Sequence, residues 1–331
     1  MRAFVVEKYK GPLRGAEVAE PSVGASDVLV RVEAAGLNPL DEKIRTGEFK
    51  ALLRYELPLI LGNDVAGTVI AVGSAVTRFQ PGDEVYARPD AMHIGTFAER
   101  IAVAEADLAL KPASITMVEA GSLPLAALTA WQALVEQGDV QPGQRVLIHS
   151  GAGGVGSIAI QLAKHLGATV ATTASGSNAD FVRELGADTV IDYRTQDFEE
   201  LLSDYDLVLD GVGSDNLAKS LRVLRRGGIA IGIAGPPDPT FARKAGLNPA
   251  IGLVIRATSS RIRRQARKLG VNYRFLFMRA EGEQLGRITD LVDRGAIRPV
   301  VGQVVPVDQT AGALAGLETT RIRGKAVVSV P

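Results

Sequence analysis

The fold of this chain is decided where a short apolar strand runs into a glycine cluster, at Val146-Leu147-Ile148-His149-Ser150-Gly151-Ala152-Gly153-Gly154-Val155-Gly156. Gly151, Gly153 and Gly156 have the spacing G-x-G-x-x-G, and a helical pattern follows that stops at Gly167. This order is typical of a turn that holds a dinucleotide, because glycine lets the backbone approach the pyrophosphate and the helix N-terminus offers it free N–H groups. The alternative is a tight strand-to-helix turn that binds nothing.

Strands alternate with helices around this turn. Further apolar runs lie at 169–173, 189–191, 206–210 and 229–233, and such a pattern predicts a doubly wound parallel sheet covered on both faces, which is a Rossmann domain. Residues 1–123 are β-rich instead and carry turn signals such as Pro81-Gly82-Asp83. We therefore predict an α/β protein in three parts, at 1–123, 124–265 and 266–331.

Composition narrows the class of protein. The 331 residues suit about two domains. The absence of cysteine excludes disulfides, thiolate zinc sites, iron–sulfur clusters and a cysteine nucleophile. Lys+Arg and Asp+Glu both number 37, so no net charge attracts the chain to nucleic acid or to an anionic membrane. No apolar run approaches the ~20 residues of a membrane span, and the first ten residues show no signal-peptide core, so we expect a cytoplasmic protein.

The end of the second Rossmann strand bears on which dinucleotide binds. NAD-binding folds usually carry an acid there, whereas the first acid after the glycine loop in this chain is Asp180, inside the next helix. Ser175 and Asn178 stand at the strand end, and they would accept a 2′-phosphate that a carboxylate would repel. This pattern predicts NADP(H). Tyr193 and Arg194, after the third strand, are either further phosphate contacts or ordinary loop residues.

Five ordered strings extend the interpretation to essentially the whole chain. They are AGLNPLDEK at 35–43, GNDVAG at 62–67, GTFAE at 95–99, LPLAALTAW at 123–131 and the glycine loop. With these strings the chain resembles the medium-chain dehydrogenase/reductase superfamily in its zinc-independent quinone oxidoreductase and enone (alkenal) reductase branch. The resemblance implies an N-terminal GroES-like β-barrel, a Rossmann domain and a C-terminal return to the first domain, with substrate and nicotinamide meeting between domains.

The resemblance also implies a reaction without metal. Zinc-dependent relatives place a cysteine where Asn38 stands and a histidine near Asn63, and they carry a four-cysteine loop that this chain lacks. The three histidines, at 93, 149 and 165, do not form a site in the sequence pattern. Hydride transfer to an activated C=C bond or a quinone is then expected, because such acceptors move charge onto an oxygen that a few hydrogen bonds can stabilise.

For the substrate side, the resemblance assigns Asn38 to the nicotinamide ribose, and an Asx turn before Pro39 is the alternative. Lys43 is a weak catalytic candidate, which would contact the ribose or stabilise an enolate, unless it is a solvated surface lysine. Phe49 stands where many relatives have a tyrosine, which leaves the proton donor open. Phe49 and Tyr55 are assigned to the walls of the substrate pocket.

The resemblance completes the cofactor site. Thr129 would lie near the nicotinamide amide, Ile233 and Ala234 would lie at the carboxyl edge of the sheet, and 275–277 would lie across the ring or form a core strand. The full predicted set is Asn38, Thr129, Gly151, Ala152, Gly153, Gly154, Val155, Gly156, Ser175, Asn178, Tyr193, Arg194, Ile233, Ala234, Phe275, Leu276 and Phe277.

We thus predict an NADPH-dependent quinone or enone reductase acting on a small molecule. An enoyl-thioester reductase and a weakly catalytic NADPH-responsive RNA-binding protein are the alternatives. The stretch 239–280 has ten Lys or Arg and no acid. We expect it to be a solvated helix flank rather than a nucleic-acid or membrane patch, because no aromatic residue lies between Phe241 and Tyr273. The family's habit implies that two copies pair through the fifth strand, Gly228 to Ala234.

Overall fold

The chain divides into two units by its internal contacts. The computed structural model describes residues 1–50, 52–317, 319–320 and 322–330. We call Met1–Leu128 together with Arg279–Pro331 the terminal unit, and Thr129–Met278 the central unit. The C-terminal segment therefore returns to the first domain, as the resemblance implied.

The strands follow in chain order. They are β1 (Arg2–Val6), β2 (Arg14–Glu17), β3 (Asp27–Gly36), β4 (Leu59–Ile60), β5 (Val65–Val72), β6 (Glu84–Ala87), β7 (Arg100–Ala104), β8 (Leu108–Leu110), β9 (Arg145–Ile148), β10 (Thr169–Ala174), β11 (Thr189–Asp192), β12 (Tyr205–Asp210), β13 (Leu224–Gly232), β14 (Asn272–Phe275), β15 (Val301–Pro306) and β16 (Lys325–Ser329).

The helices lie between them. They are α1 (Pro39–Thr46), α2 (Met117–Gly121), α3 (Pro124–Trp131), α4 (Gly154–His165), α5 (Ala179–Glu184), α6 (Phe198–Leu201), α7 (Ser214–Ser220), α8 (Pro239–Lys244), α9 (Pro249–Thr258), α10 (Ser260–Leu269), α11 (Gly282–Asp293) and α12 (Thr310–Gly316). A π-helical turn at Gln132–Gln137 follows α3 directly.

The central unit contains a six-stranded sheet in the order β11-β10-β9-β12-β13-β14, with every neighbouring pair parallel. Counted from β9, this order is 3-2-1-4-5-6, which is the order of dinucleotide-binding doubly wound sheets. The predicted Rossmann class is therefore confirmed. The order reverses between β9 and β12, and ligands of such sheets bind outside the carboxyl ends of the strands at that reversal.

The limits of the central unit differ from the sequence-based limits of 124 and 265. Residue 265 lies inside α10, and β14 pairs in parallel with β13, so the contacts divide the chain at Met278. The sequence pattern placed residues 266–331, which include β14, in the C-terminal part. At the other limit, the Leu125 N–H donates to the Asp64 carboxylate at 2.6 Å, which ties the start of α3 to the terminal unit.

The predicted route to a homodimer is wrong in its detail. The fifth strand, Gly228 to Ala234, corresponds to β13, and β13 is flanked by β12 on one side and β14 on the other. Its backbone groups are used in both ladders, so it offers no free edge. Among the described residues, β11 and β14 are the outer strands of this sheet.

The terminal unit is built on a second sheet, in the order β15-β16-β3-β5-β6-β8, with β7 also pairing with β3. A smaller sheet has the order β2-β1-β4. The last strand, β16, is antiparallel to β3, with Val328 opposite Ala35. Alternate residues of β3, such as Val28, Val30 and Val32, are buried in the core. This pairing carries Lys325, the first residue of β16, to the end of β3 where Asn38 follows.

Candidate active site

The glycine loop joins β9 to α4 at the reversal of strand order. Ser150 has a positive φ of 57°, and the Gly151 N–H donates to the Thr173 carbonyl at 3.0 Å. Gly153 is the N-terminal cap of α4, and its carbonyl accepts the N–H of Ser157 at 2.9 Å. The N–H groups of residues 154–156 precede that first intrahelical bond, so they point out of the helix end and are available to an anion.

The three glycines of the motif have different structural roles. A Cβ atom on Gly151 would lie 2.1 Å from the Thr172 hydroxyl oxygen, and one on Gly156 would lie 2.2 Å from the Ser150 carbonyl oxygen. Both glycines are therefore required by the packing of helix on strand. A Cβ on Gly153 would meet only the Ser150 carbonyl oxygen, at 3.3 Å. The backbone at Gly153 is therefore the least covered of the three, and it stays a predicted point of close approach for a ligand.

A buried chain of hydrogen bonds lies beneath the loop and joins β10, β9 and β12. The His149 ring nitrogens lie 3.0 Å from the Thr173 hydroxyl (Nδ1) and 3.0 Å from the Ser220 hydroxyl (Nε2). Ser220 Oγ donates to Asp210 Oδ2 at 2.9 Å. This direction assigns the imidazole proton to Nε2, with Nδ1 accepting from Thr173. Burial lowers the pKa of His149 to about 4, so the ring is neutral near pH 7.

Asp210 fixes the loop that follows β12. Its Oδ1 accepts the N–H of Val212 at 2.9 Å and that of Gly213 at 2.7 Å, and its Oδ2 also accepts from Asn216 at 3.0 Å. The two loops at the reversal are thus held by one network. His149, which the sequence pattern did not place in a histidine site, and Asp210, which the sequence did not single out, hold these loops from the buried side.

The predicted 2′-phosphate site lies at the end of β10. The hydroxyls of Ser175 and Ser177 are 3.1 Å apart, and the Asn178 amide donates to Ser175 Oγ at 3.2 Å. The exposed Arg194 lies with its guanidinium over the Tyr193 ring, 5.9 Å from the ring centroid, and it forms no ion pair with any of the described residues. A free guanidinium and two hydroxyls are suitable ligands for a phosphate.

Asp192 lies beside the predicted 2′-phosphate site, and the local sequence pattern did not point to it. Strands β10 and β11 are in register with Ala174 opposite Asp192, and a Cβ on Gly176 would lie 2.7 Å from Asp192 Oδ2. A carboxylate therefore stands beside the strand end that looked free of acids in sequence. Asp192 comes beside β10 only when β10 and β11 are paired, because the carboxyl ends of parallel strands share one edge of the sheet.

The remaining predicted cofactor residues of the central unit vary in exposure. Ile233 and Ala234 directly follow β13, and Ala234 is exposed. Phe275 is buried, its ring packing edge-on against Phe241 at 5.3 Å, which is the core-strand interpretation of this segment. Phe277 is half-buried against the same ring. Leu276 on this segment and Thr129 on α3 are also buried.

The terminal unit contains a buried polar cluster, which we define as Asn38, Asp41, Asn63, Asp64 and Lys325. The Asn38 amide nitrogen donates to Asp64 Oδ2 at 2.9 Å and to the Gly36 carbonyl at 3.2 Å, while its oxygen accepts from the Lys325 ammonium. Lys325 also donates to Asp64 Oδ2 at 3.2 Å and to the Leu37 carbonyl at 2.8 Å. Asn38 is also the N-terminal cap of α1, and its backbone N–H donates to the Asp41 side chain, so the local-turn alternative and the ribose contact both stay predictions.

Asp41 is the second carboxyl of the buried polar cluster. It accepts the Asn38 backbone N–H at 2.8 Å and the Asn63 amide at 2.7 Å, and it is fully buried. Burial raises the pKa of Asp41 to about 7, against these two hydrogen bonds and the charge of Lys325. This carboxyl therefore titrates near neutral pH.

These residues do not fit a zinc ion. The resemblance puts the thiolate of zinc-dependent relatives at Asn38 and their imidazole near Asn63, where this chain has amides, and the ammonium of Lys325 already contacts the Asn38 oxygen. Among the described residues, no group of three or more His, Cys, Asp or Glu side chains is arranged to hold a metal ion. The metal-free reaction stays a prediction.

The predicted substrate-side residues have separate environments. Lys43, in the last turn of α1, is half-buried, and its ammonium makes no hydrogen bond or ion pair with the described residues. Phe49 packs against the core of the terminal unit. The Tyr55 hydroxyl donates to the Ala91 carbonyl at 2.6 Å, and burial raises the pKa of this phenol. The Tyr55 hydroxyl is therefore fixed by the Ala91 carbonyl, and the pocket role of Tyr55 stays a prediction.

Three further polar atoms of the terminal unit are buried without a hydrogen-bond partner among the described residues. They are Asn63 Oδ1, Arg88 Nε and Thr96 Oγ1. Arg88 is 1% exposed, and burial lowers its pKa. The sequence analysis did not find Arg88, Asp64 or Lys325. Its one available signal was a lysine opening the otherwise apolar last strand.

The residues at the glycine loop fit a dinucleotide. Gly153 leaves the backbone uncovered, the first turn of α4 offers N–H groups, and hydroxyls stand at the end of the next strand. A separate feature concerns membranes. Within the described ranges, no helix has both the length and the apolarity to cross a bilayer.

Comparison with known proteins agrees with this geometry. The family model described as alcohol dehydrogenase GroES-like domain matches residues 24–113, and the one described as zinc-binding dehydrogenase matches residues 185–328. The first match confirms the GroES-like domain that the resemblance implied. The glycine loop lies between the two matched ranges.

Relatives match along the whole chain. The NADPH-dependent alkenal/one oxidoreductase of Arabidopsis thaliana, named as chloroplastic, is 36% identical, with 99% of this chain and 79% of the relative covered. The quinone oxidoreductase structure from Coxiella burnetii has a TM-score of 0.86 at 32% identity, covering 100% of this chain and 99% of that one.

The Escherichia coli quinone oxidoreductase complexed with NADPH has a TM-score of 0.83 at 26% identity, with both chains fully covered. The family models, the identity to the plant relative and the 3-2-1-4-5-6 sheet lead to one assignment. The chain belongs to the medium-chain dehydrogenase/reductase family.

Proposed function

We propose that this chain is an NADPH-dependent reductase that transfers hydride to a quinone or to the C=C bond of an α,β-unsaturated carbonyl compound. The observation that carries the proposal is the loop at the β9–β12 reversal, where Gly153 leaves the backbone open to a ligand. The alkenal/one and quinone oxidoreductase activities in the names of the relatives support this class of acceptor.

In this proposal, the central unit holds the cofactor. NADP(H), when bound, supplies the hydride. The N–H groups at the start of α4 bind the pyrophosphate, and Ser175, Asn178 and Arg194 hold the 2′-phosphate. The guanidinium of Arg194 would offset the repulsion from the nearby Asp192 carboxylate, whose Oδ1 accepts the Arg194 backbone N–H at 3.1 Å. Thr129, Tyr193, Ile233, Ala234 and 275–277 stay proposed contacts. Because Phe275 and Leu276 are buried, they would support the cofactor site by packing beneath it.

On the substrate side, the buried polar cluster fixes the Asn38 amide. Asp64 and Lys325 hold opposite ends of that amide, so its orientation is set before any ligand arrives. The ammonium of Lys43 has no competing partner among the described residues and would stabilise negative charge developing on the acceptor oxygen. Phe49 and Tyr55 form the walls of the substrate pocket. The proton comes from solvent or from a group other than these side chains.

Oxidation of NADPH measured in parallel with 9,10-phenanthrenequinone, butenone and crotonyl-CoA tests the acceptor class. We expect the quinone or butenone to be reduced with the higher kcat/KM. Preference for crotonyl-CoA would replace the proposal with an enoyl-thioester reductase. Reduction of none of them, together with a shift of RNA in a gel, would replace it with a binding protein.

Cofactor selectivity is tested with Arg194→Gln, using Arg183→Gln as the matched control. Arg183 is an exposed cation of the same unit that is already paired with Asp180. Loss of a charge-assisted phosphate contact should raise the Kd for NADPH about tenfold and leave NADH unchanged. Equal effects on the two cofactors would remove Arg194 from the phosphate site.

Two coarser expectations remain predictions. One is that two copies of the chain form a homodimer, although not by pairing through β13. A cytoplasmic location is the other, because the Arabidopsis relative is named as chloroplastic.

A further inference from the structure

Helix α9 turns an apolar face to solvent. Ala250, Leu253, Val254 and Ala257 are spaced three and four residues apart, so they share one face, and all four are exposed. Leu253 is 69% exposed and Val254 is 62% exposed, the highest values for large apolar side chains among the described residues. Ile255, on the opposite side, is buried. A helix that packs on a core normally buries its apolar face and exposes its polar face.

Helix α10 continues from α9 and presents cations. Arg261, Arg264 and Lys268 lie on one exposed face, while Ile262 and Ala266 are buried on the other. None of the three cations forms an ion pair with the part of the chain that the structure describes. No acidic residue lies between 239 and 280 to neutralise them.

The two helices form one surface. Ser259, between α9 and α10, keeps helical backbone angles (φ −84°, ψ −2°), and its carbonyl accepts the Arg263 N–H at 3.1 Å. The spacing of three and four residues therefore continues from Ala257 to Arg261, which puts both sets of side chains along one side. We call it the α9–α10 surface and define it by Ala250, Leu253, Val254, Ala257, Arg261, Arg264 and Lys268. It places an aliphatic face next to a cationic face with no intervening acid.

We propose that the α9–α10 surface docks the protein onto an anionic lipid bilayer. Leu253 and Val254 enter the boundary between headgroups and acyl chains, and the cations of α10 contact the anionic headgroups. Attachment of this kind needs no spanning helix. The inference goes beyond the proposed reductase activity and does not depend on it. It reverses the solvated-flank interpretation, because the sequence could not show that α9 turns Leu253 outward.

Charge and composition favour a bilayer over other occupants. A second copy of this chain would bring two sets of unpaired cations together with no acid in this stretch to neutralise them. Single-stranded RNA would be expected to stack on aromatic rings, and none lies between Phe241 and Tyr273. Exposed aliphatic side chains beside arginines match the two parts of an anionic interface.

Co-sedimentation of the full-length protein with phosphatidylcholine vesicles, with and without phosphatidylglycerol, tests the proposal. One variant carries Leu253→Gln and Val254→Gln, and another carries Gln at Arg261, Arg264 and Lys268. The apolar control is Leu201→Gln, at a side chain that is 54% exposed on α6. The charge control places Gln at Lys8, Lys10 and Lys50, three exposed cations of the terminal unit.

We expect the wild type to bind only vesicles that contain phosphatidylglycerol. The charge variant should lower its partition coefficient roughly 100-fold and the apolar variant about tenfold, while both controls bind as the wild type does. NADPH affinity, measured by fluorescence titration, should be the same in all five proteins, which shows that the variants are folded.

Four outcomes would overturn the proposal. The first is failure of the wild type to sediment with anionic vesicles. The second is full binding by the Leu253/Val254 variant, which would leave charge alone as the cause. The third is a gel shift with RNA in place of lipid binding. The fourth is a wild-type dimer in light scattering that this variant dissociates, because a second copy would then cover the surface.

Discussion

The glycine loop and the buried polar cluster are two regions that prepare a site in different ways. The loop is one continuous stretch, and its chemistry comes from backbone groups that glycine leaves exposed. The cluster joins Asn38 to Lys325 across 287 positions of sequence, and its chemistry comes from charged side chains taken out of water. A continuous backbone motif can be recognised from spacing, whereas a cluster of distant side chains depends on how the sheet closes.

The largest expected effect belongs to the buried polar cluster. Lys325→Met leaves the fully buried Asp64 without its cation, and breaking a buried pair in this way should lower the free energy of unfolding by about 3–5 kcal/mol. Lys164→Met is the control, since the Lys164–Asp188 pair is about one-third exposed and should contribute at most about 1 kcal/mol. Urea denaturation measures both, and equal losses would contradict the special role of the cluster.

The second effect tests the loop. Gly156→Ala places a methyl group 2.2 Å from the Ser150 carbonyl oxygen, so the central unit should lose about 1–3 kcal/mol of stability through overpacking. Gly246→Ala is unsuitable as a control because its φ is positive, whereas Gly252 lies in α9 with open space around its Cβ position. Gly252→Ala should leave the melting temperature unchanged or raise it. A Gly156→Ala protein as stable as the wild type would refute the packing role.

The third effect is the pH dependence of stability that Asp41 gives to the buried polar cluster. The folded-state pKa of Asp41 is raised from 3.8 to about 7, so the folded state binds the proton more tightly than the unfolded state. Its contribution to stability is present below pH 3.8 and is lost as pH rises through about 7. In thermal melts over this window, the wild type should lose stability relative to Asp41→Asn as pH rises. A constant difference between the two proteins would show that Asp41 does not titrate there.

The fourth effect has the opposite sign and belongs to the network under the loop. The folded-state pKa of His149 is lowered from 6.5 to about 4, so its contribution is present above pH 6.5 and is lost as pH falls toward 4. His149→Gln removes this titration. The melting temperature of the wild type should therefore fall more steeply than that of the variant on acidification, and parallel curves would contradict the buried neutral imidazole.

The same contrast explains what the sequence could predict. The Rossmann sheet and the glycine loop were predictable because strand, turn and helix follow one another in local patterns. The partners of Asn38 were not, because Asp64, just before β5, and Lys325, at the start of β16, are distant from Asn38 in sequence. Asp192 was missed for the same reason, since it reaches Gly176 through the pairing of β10 with β11. The sequence pattern left β13 as the outer strand of the Rossmann sheet, because β14 was assigned to the C-terminal part.

The central claim is that the uncovered backbone at Gly153 receives the pyrophosphate of NADPH. Isothermal titration of NADPH into the wild type and Gly153→Val tests it directly, with the melting temperatures measured in parallel. We predict that the variant binds NADPH at least about tenfold more weakly while its melting temperature falls by only a few degrees, because the one atom within 4 Å of a Cβ at position 153 is the Ser150 carbonyl oxygen, at 3.3 Å. Unchanged NADPH affinity in a folded Gly153→Val protein would contradict the account.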